Sequence, residues 1–197
     1  MEFTREIYWN VGHGAGTLVP MYVLLLAALC ILVWGCWQRI KIYRLGRELQ
    51  RIDDLPRRVV EALYQVLAQL RVMRVKGAGT AHGLFFWGFF LLFVGTCLIV
   101  LQADVTDPLF DVKFLKGPFY LLFSLVLDIA GAIAIIMLAG LFVRRYLLKP
   151  PGLETRREDA FIHVLLMVIL LTGFVIEGAR MAVTEIGTNL SRWSPDE

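Results

Sequence analysis

Ala81-His82-Gly83-Leu84-Phe85-Phe86-Trp87-Gly88-Phe89-Phe90 opens an apolar run that continues to Ala103, and its second residue is a histidine. A helix needs about 20 mostly apolar residues to cross a hydrocarbon core ~30 Å thick. Three other segments meet that length: Thr17 to Trp37, Gly117 to Val143 and Asp159 to Val183. The chain is 58% hydrophobic over its 197 residues, with a mean hydropathy of +0.66, too apolar for a soluble domain. Runs this long and apolar can satisfy their backbone groups in lipid only as helices, and the short alternating segments of a barrel are absent. The predicted fold is therefore all-α and integral to a membrane, a four-transmembrane-helix bundle forming a single domain.

Basic residues orient it. Ten Lys and Arg lie between Gln38 and Thr80 and five between Arg144 and Glu158, against five on the other side of the spans. That bias places both connections in the cytoplasm and the N-terminus outside, as expected for a bacterial-type inner membrane. The modest net charge of +3 conceals the asymmetry. These residues flank spans as topology signals do, so nucleic-acid binding is excluded. Glu2 and Glu6 outnumber Arg5 ahead of the first span, the wrong charge for a signal peptide, so that span reads as a retained anchor.

The longer cytoplasmic connection carries a helix of its own, predicted over about 55–75. Asp53 and Asp54 suit its cap and Pro56 its first turn. Val59, Leu63, Val66, Leu67, Leu70 and Met73 recur at helical spacing, with Arg57, Arg58, Arg71 and Arg74 on much of the remainder. A basic amphipathic helix of this kind lies in the membrane interface or docks a soluble partner. Between spans two and three, Asp104, Asp107 and Asp111 make an acidic outer loop, and Lys149-Pro-Pro-Gly stops the third span's extension.

Polar groups inside a span are costly and mark function. His82 and His163 enter from the same side at similar depth, an arrangement that suits axial ligation of a membrane haem b. Gly83, Gly88 and Gly95 would give a macrocycle room, and Arg74, Lys76, Arg156 and Arg157 could meet its propionates. The alternative is that both histidines merely cap their spans at headgroup level. His13, between glycines outside the first span, is a candidate ligand for an outer haem or an exposed interfacial residue.

Asp128 falls near mid-bilayer, with Ser124 one turn earlier and able to satisfy one carboxylate oxygen. Proton relay, quinone hydrogen bonding, contact with another helix and simple polar packing are all open to it. Glu177 and Arg180, spaced i,i+3, are predicted to form an interfacial ion pair, with a quinone-site role as the alternative. Cys30, Cys36 and Cys97 form no Cys-x-x-Cys pair, so no iron–sulfur cluster is expected in this chain, and they read as packing residues.

Several stretches taken together resemble the membrane cytochrome b domain of the nitrate-reductase gamma-subunit superfamily. They are Thr4-Arg-Glu-Ile-Tyr-Trp-Asn-Val-Gly-His13, His82-Gly-Leu-Phe-Phe-Trp-Gly-Phe and Leu101-Gln-Ala-Asp104. Phe119-Tyr-Leu-Leu-Phe-Ser-Leu-Val-Leu-Asp128, Arg144-Arg-Tyr, Lys149-Pro-Pro and Glu158-Asp-Ala160 continue the series. Leu171-Thr-Gly-Phe-Val-Ile-Glu177-Gly-Ala-Arg180 and Trp193-Ser-Pro complete it. The closest form is the one fused to heterodisulfide-reductase-like iron–sulfur proteins, including electron-transfer-flavoprotein:menaquinone oxidoreductases.

The resemblance implies one or two haems b, menaquinone as substrate and a cytoplasmic iron–sulfur or electron-transfer-flavoprotein-type partner. It implies a further histidine-bearing span beyond Trp193-Ser-Pro, so the domain is expected to be incomplete at its C-terminus. It supports His82 above His163, which falls where the family carries an apolar residue. The function expected is electron transfer between that partner and menaquinone, without turnover by this chain alone. The rival is a haem-free membrane anchor or assembly module. A small transporter fits less well, since Asp128 alone is deep.

Overall fold

The computed structural model describes residues 14–45 and 54–183. Among them the chain is helical: α1 Ala15–Tyr43, α2 Leu55–Ala68, α3 Leu70–Met73, α4 Ala78–Val100, α5 Asp107–Phe110, α6 Gly117–Phe142 and α7 Arg157–Met181. Wider π-type turns extend α4 over Leu101–Thr106 and α6 over Val143–Leu148. Four helical stretches are long and apolar enough to cross a membrane, at Ala15–Tyr43, Ala78–Phe110, Gly117–Leu148 and Arg157–Met181. These match the four predicted spans, each helix reaching past the apolar run at one or both ends.

The described residues divide into two units, one running to Tyr64 and the other from Gln65 onward. In the first, α1 carries no buried residue, which suits a helix whose side chains meet lipid. α2 keeps Pro56 in its first turn, and Val59, Leu63 and Val66 stay exposed along it. The predicted helix over 55–75 is interrupted: Gln69 turns left-handed at φ 51° and separates α2 from α3. Its Nε2 donates to Val66 O at 2.6 Å, satisfying a carbonyl that the broken helix frees. Asp53 lies outside the described residues.

In the second unit α6 is the central helix, with α4 and α7 packed on it. The seam with α4 is built on glycines. A Cβ at Gly88 would sit 2.6 Å from Ala130 O, and one at Gly95 would sit 2.5 Å from Leu127 Cδ1. Gly131 likewise receives the Phe174 ring from α7, beside Leu92 of α4. Without side chains at these points the helices approach closely enough for dispersion to hold them where no hydrophobic effect operates. Ala134, Leu138 and Leu170 form one core cluster, flanked by Phe85, Leu92, Leu166 and Met167. Leu115, Tyr120 and Phe123 form the other, flanked by Leu98, Ile99 and Leu127.

Two polar ties fix the ends. Gln102, 2% exposed, accepts a hydrogen bond on Oε1 from Leu115 N at 2.6 Å, closing the connection between α4 and α6. Thr106 Oγ1 adds a bond to Val112 O at 2.9 Å. At the opposite end Arg145 Nη2 binds Asp159 Oδ2 and, at 3.0 Å, Glu154 O, joining the end of α6 to the start of α7. Gln102→Leu strands the buried Leu115 N–H, so it should cost about 1–3 kcal/mol, read as a lower melting temperature in detergent.

Candidate functional site

α4, α6 and α7 enclose a cleft of about 800 Å³ in the C-terminal half of α4, within the range of small-molecule sites. Phe89, Leu92, Phe93, Leu127, Ile169 and Phe174 make its wall largely apolar. Asp128 and Ser124 enter from α6 and Glu177 from α7. The sequence singled out Asp128 and Glu177 separately, and helix packing brings them to one cavity.

The predicted ion pair between Glu177 and Arg180 forms, with Arg180 buried. Arg180 is 4% exposed and holds Glu177 by two bonds, Nη2 to Oε1 at 2.7 Å and Nε to Oε2 at 3.2 Å. Nη2 also donates to the hydroxyl of Tyr120, 2.8 Å away on α6. Such a two-point grip fixes the carboxylate's orientation as well as its charge. Tyr120 escaped the sequence reading because its partner lies sixty residues away. Its position on the first turn of α6, opposite the last turn of α7, was the available clue.

Ser124 does not satisfy Asp128. Its Oγ is buried and has no hydrogen-bond partner.

The histidines lie toward the other end. His82 is exposed on α4. His163 is half-buried, its ring edge-to-face on Tyr146 with centroids 5.7 Å apart. Its Nδ1 lies 2.8 Å from Asp159 O; a carbonyl can only accept, so Nδ1 carries the proton and Nε2 presents its lone pair. The two imidazoles stand on α4 and α7, the helices that both pack on α6. His13 lies outside the described residues.

The room expected over the glycines is also taken. Gly83 receives Met73, Gly88 the α6 backbone, and Gly95 Leu127. A macrocycle therefore cannot lie along that seam. His82 faces elsewhere: Phe89 and Phe93 follow it by seven and eleven residues, close to whole helical turns, and so share its face. Both line the cleft. His82 and the cleft thus lie on one stripe of α4, His82 about 10 Å along the axis from Phe89 by the rise of the helix.

No family model matches the chain, and no solved structure matches it. Among curated proteins, it is similar to the EtfAB:quinone oxidoreductase of Syntrophomonas wolfei subsp. wolfei (strain DSM 2245B / Goettingen), with 34% identity over 164 residues. That match takes in 82% of this chain, which spans 22% of the relative's length.

Proposed function

We propose that this chain is the haem b-carrying membrane module of a quinone-linked oxidoreductase. It transfers electrons between a cytoplasmic iron–sulfur or electron-transfer-flavoprotein-type partner and menaquinone. The observation that carries the reading is the cleft, an apolar cavity edged by two carboxyl side chains on the same α4 stripe as His82. Similarity to a quinone oxidoreductase supports it.

Oriented by its basic loops, the chain sets His82 and His163 toward the cytoplasm and the cleft toward the outer half of the bilayer. The basic connections at 39–76 and 144–157 face the partner, with α2 at the interface.

The donor set fits a haem at His82 on one side of the iron. Its imidazole is exposed, on a face of α4 free of the glycine packing. The second ligand would come from His163 or from another segment. Bound there, haem b would supply one-electron exchange. His163, with Nδ1 tied to a carbonyl and Nε2 open, has the tautomer of an orientated ligand and is the candidate for a second haem.

Converting a quinone to its quinol takes two electrons and two protons. Asp128 and Glu177 are placed to pass one proton each between the ring oxygens and the outer side. Arg180 and Tyr120 hold Glu177 at the rim, and the aromatic wall keeps water from the ring.

Gly173 tests the cleft directly. It lines the cavity, and a Cβ there would meet nothing within 4 Å. Gly173→Leu should fill the space without harming the fold, since leucine favours helix over glycine by up to about 1 kcal/mol. The expected result is loss of menaquinone-analogue reduction, with partner binding and melting temperature preserved. Unchanged activity would place the quinone elsewhere.

A further inference from the structure

α2 has two unlike sides. At 3.6 residues per turn, Leu55, Val59, Leu63, Leu67, Val60 and Tyr64 fall on about half of its circumference. Arg57 and Arg58 border that half on its two sides, with Glu61 and Gln65 between them on the polar half. The apolar half is not buried: Val59, Val60, Leu63 and Tyr64 all stay exposed. The chain that follows fixes where the helix ends. α3 packs on the head of α4, where a Cβ on Gly79 would run into Val72 O and Met73 covers Gly83. Gly83 lies only about 7 Å along the axis from the start of that span at Ala78. α3 therefore stands where the span leaves the hydrocarbon. Ala68 is two residues before Leu70, so at most about 7 Å of chain separates the end of α2 from that level. Gln69, left-handed at φ 51°, ends α2 and frees its axis from that of α3.

We infer that α2 lies along the bilayer surface with its apolar half among the upper acyl carbons, and that Arg57 and Arg58 bind the phosphates of anionic phospholipids. A helix with one apolar and one charged side, held at headgroup level, buries the apolar side in lipid. Arginines on the borders extend their methylenes along that side and keep the guanidinium at the phosphate level. There the planar fork meets phosphate oxygens with two donors at once. Arg57 also faces Asp54 at 3.9 Å, but the two side chains are 81% and 62% exposed. So exposed a pair contributes little and yields to phosphate. Glu61, on the polar half, points its charge away from the anionic surface. The basic side chains of Arg71, Arg74 and Lys76, all exposed, add to the attraction at the same level. This surface depends on neither the haem nor the cleft.

The test is hydrogen–deuterium exchange of the full chain in nanodiscs, read on peptides covering residues 55–68. The discs contain phosphatidylcholine alone or an equal mixture of phosphatidylcholine and phosphatidylglycerol. Exchange should be slower in the mixture. The double variant Arg57→Gln, Arg58→Gln should speed it about thirtyfold there, about fivefold for each arginine, and have little effect in phosphatidylcholine alone. Leu63→Glu, at the middle of the apolar half, should speed exchange in both lipids. Peptides from α4 should exchange alike throughout, because the spans stay folded. Exchange that ignores phosphatidylglycerol, or a double variant that behaves as wild type in the mixture, overturns the headgroup contact. Leu63→Glu without effect overturns the placement in lipid. Protection that appears only when the purified partner chains are added would make the apolar half a protein-docking face and also defeats the inference.

Discussion

Purified with its partner chains, the His82→Ala variant should lose the α band of haem b in reduced-minus-oxidised spectra. All of the haem disappears if the complex binds one, and half if it binds two. The effect is large because an axial ligand is a bond to iron; alanine offers no donor atom, and among the described residues no other histidine lies on that face of α4. The exposure of His82 makes the variant a clean test, since no buried side chain is removed with the ring. Pyridine haemochrome content measures the loss, and unchanged melting temperature shows that the helices persist. Retention of the full haem content would reduce the chain to an anchor for a redox partner. His163→Ala reads the second position: a further loss marks a second haem, whereas no loss leaves His163 as a residue of the helix start, steadied by Asp159 and Tyr146.

Gly88→Leu is expected to be the most damaging single substitution in the membrane core. Its first side-chain atom would meet the carbonyl of Ala130, with Ala134 Cβ at 3.1 Å behind it. Backbone cannot swing aside as a rotamer can, so α4 must leave α6. Overpacking ordinarily costs about 1–3 kcal/mol, and a backbone obstacle puts this site at the upper end or above. The cleft should be lost with it, because α4 supplies one wall. Protease susceptibility and the yield of folded protein in detergent measure the outcome. Gly173→Leu, the same change on α7 into open space, is the matched control; equal tolerance at both sites would contradict the glycine seam.

The four spans were legible because a membrane imposes one rule, length and apolarity, that composition alone satisfies. What composition could not say was which face each span turns to which neighbour. Gly88 and Gly95 read in the sequence as room for a cofactor; in the fold α6 occupies that room. The helix predicted to reach 75 breaks at Gln69, a residue with no breaker chemistry, because its side chain can bond the carbonyl released by the break. Asp128, Glu177 and Arg180 were each visible as polar groups in apolar runs. Their convergence was not, since it depends on how α6 packs on α7, which brings Tyr120 to Arg180 sixty residues away. Spacing makes Ser124 able to reach Asp128, and i,i+4 proximity permits that bond without requiring it.

The rim of the cleft has a kinetic meaning. Phe93, Ile169 and Ile176 remain 59%, 49% and 63% exposed, so on the proposed reading a quinone ring would reach the cavity sideways, its prenyl tail still dissolved among acyl chains. Encounter would then be a two-dimensional search. The quantity governing occupancy would be the mole ratio of quinone to phospholipid around the protein, which diluting the aqueous phase leaves untouched.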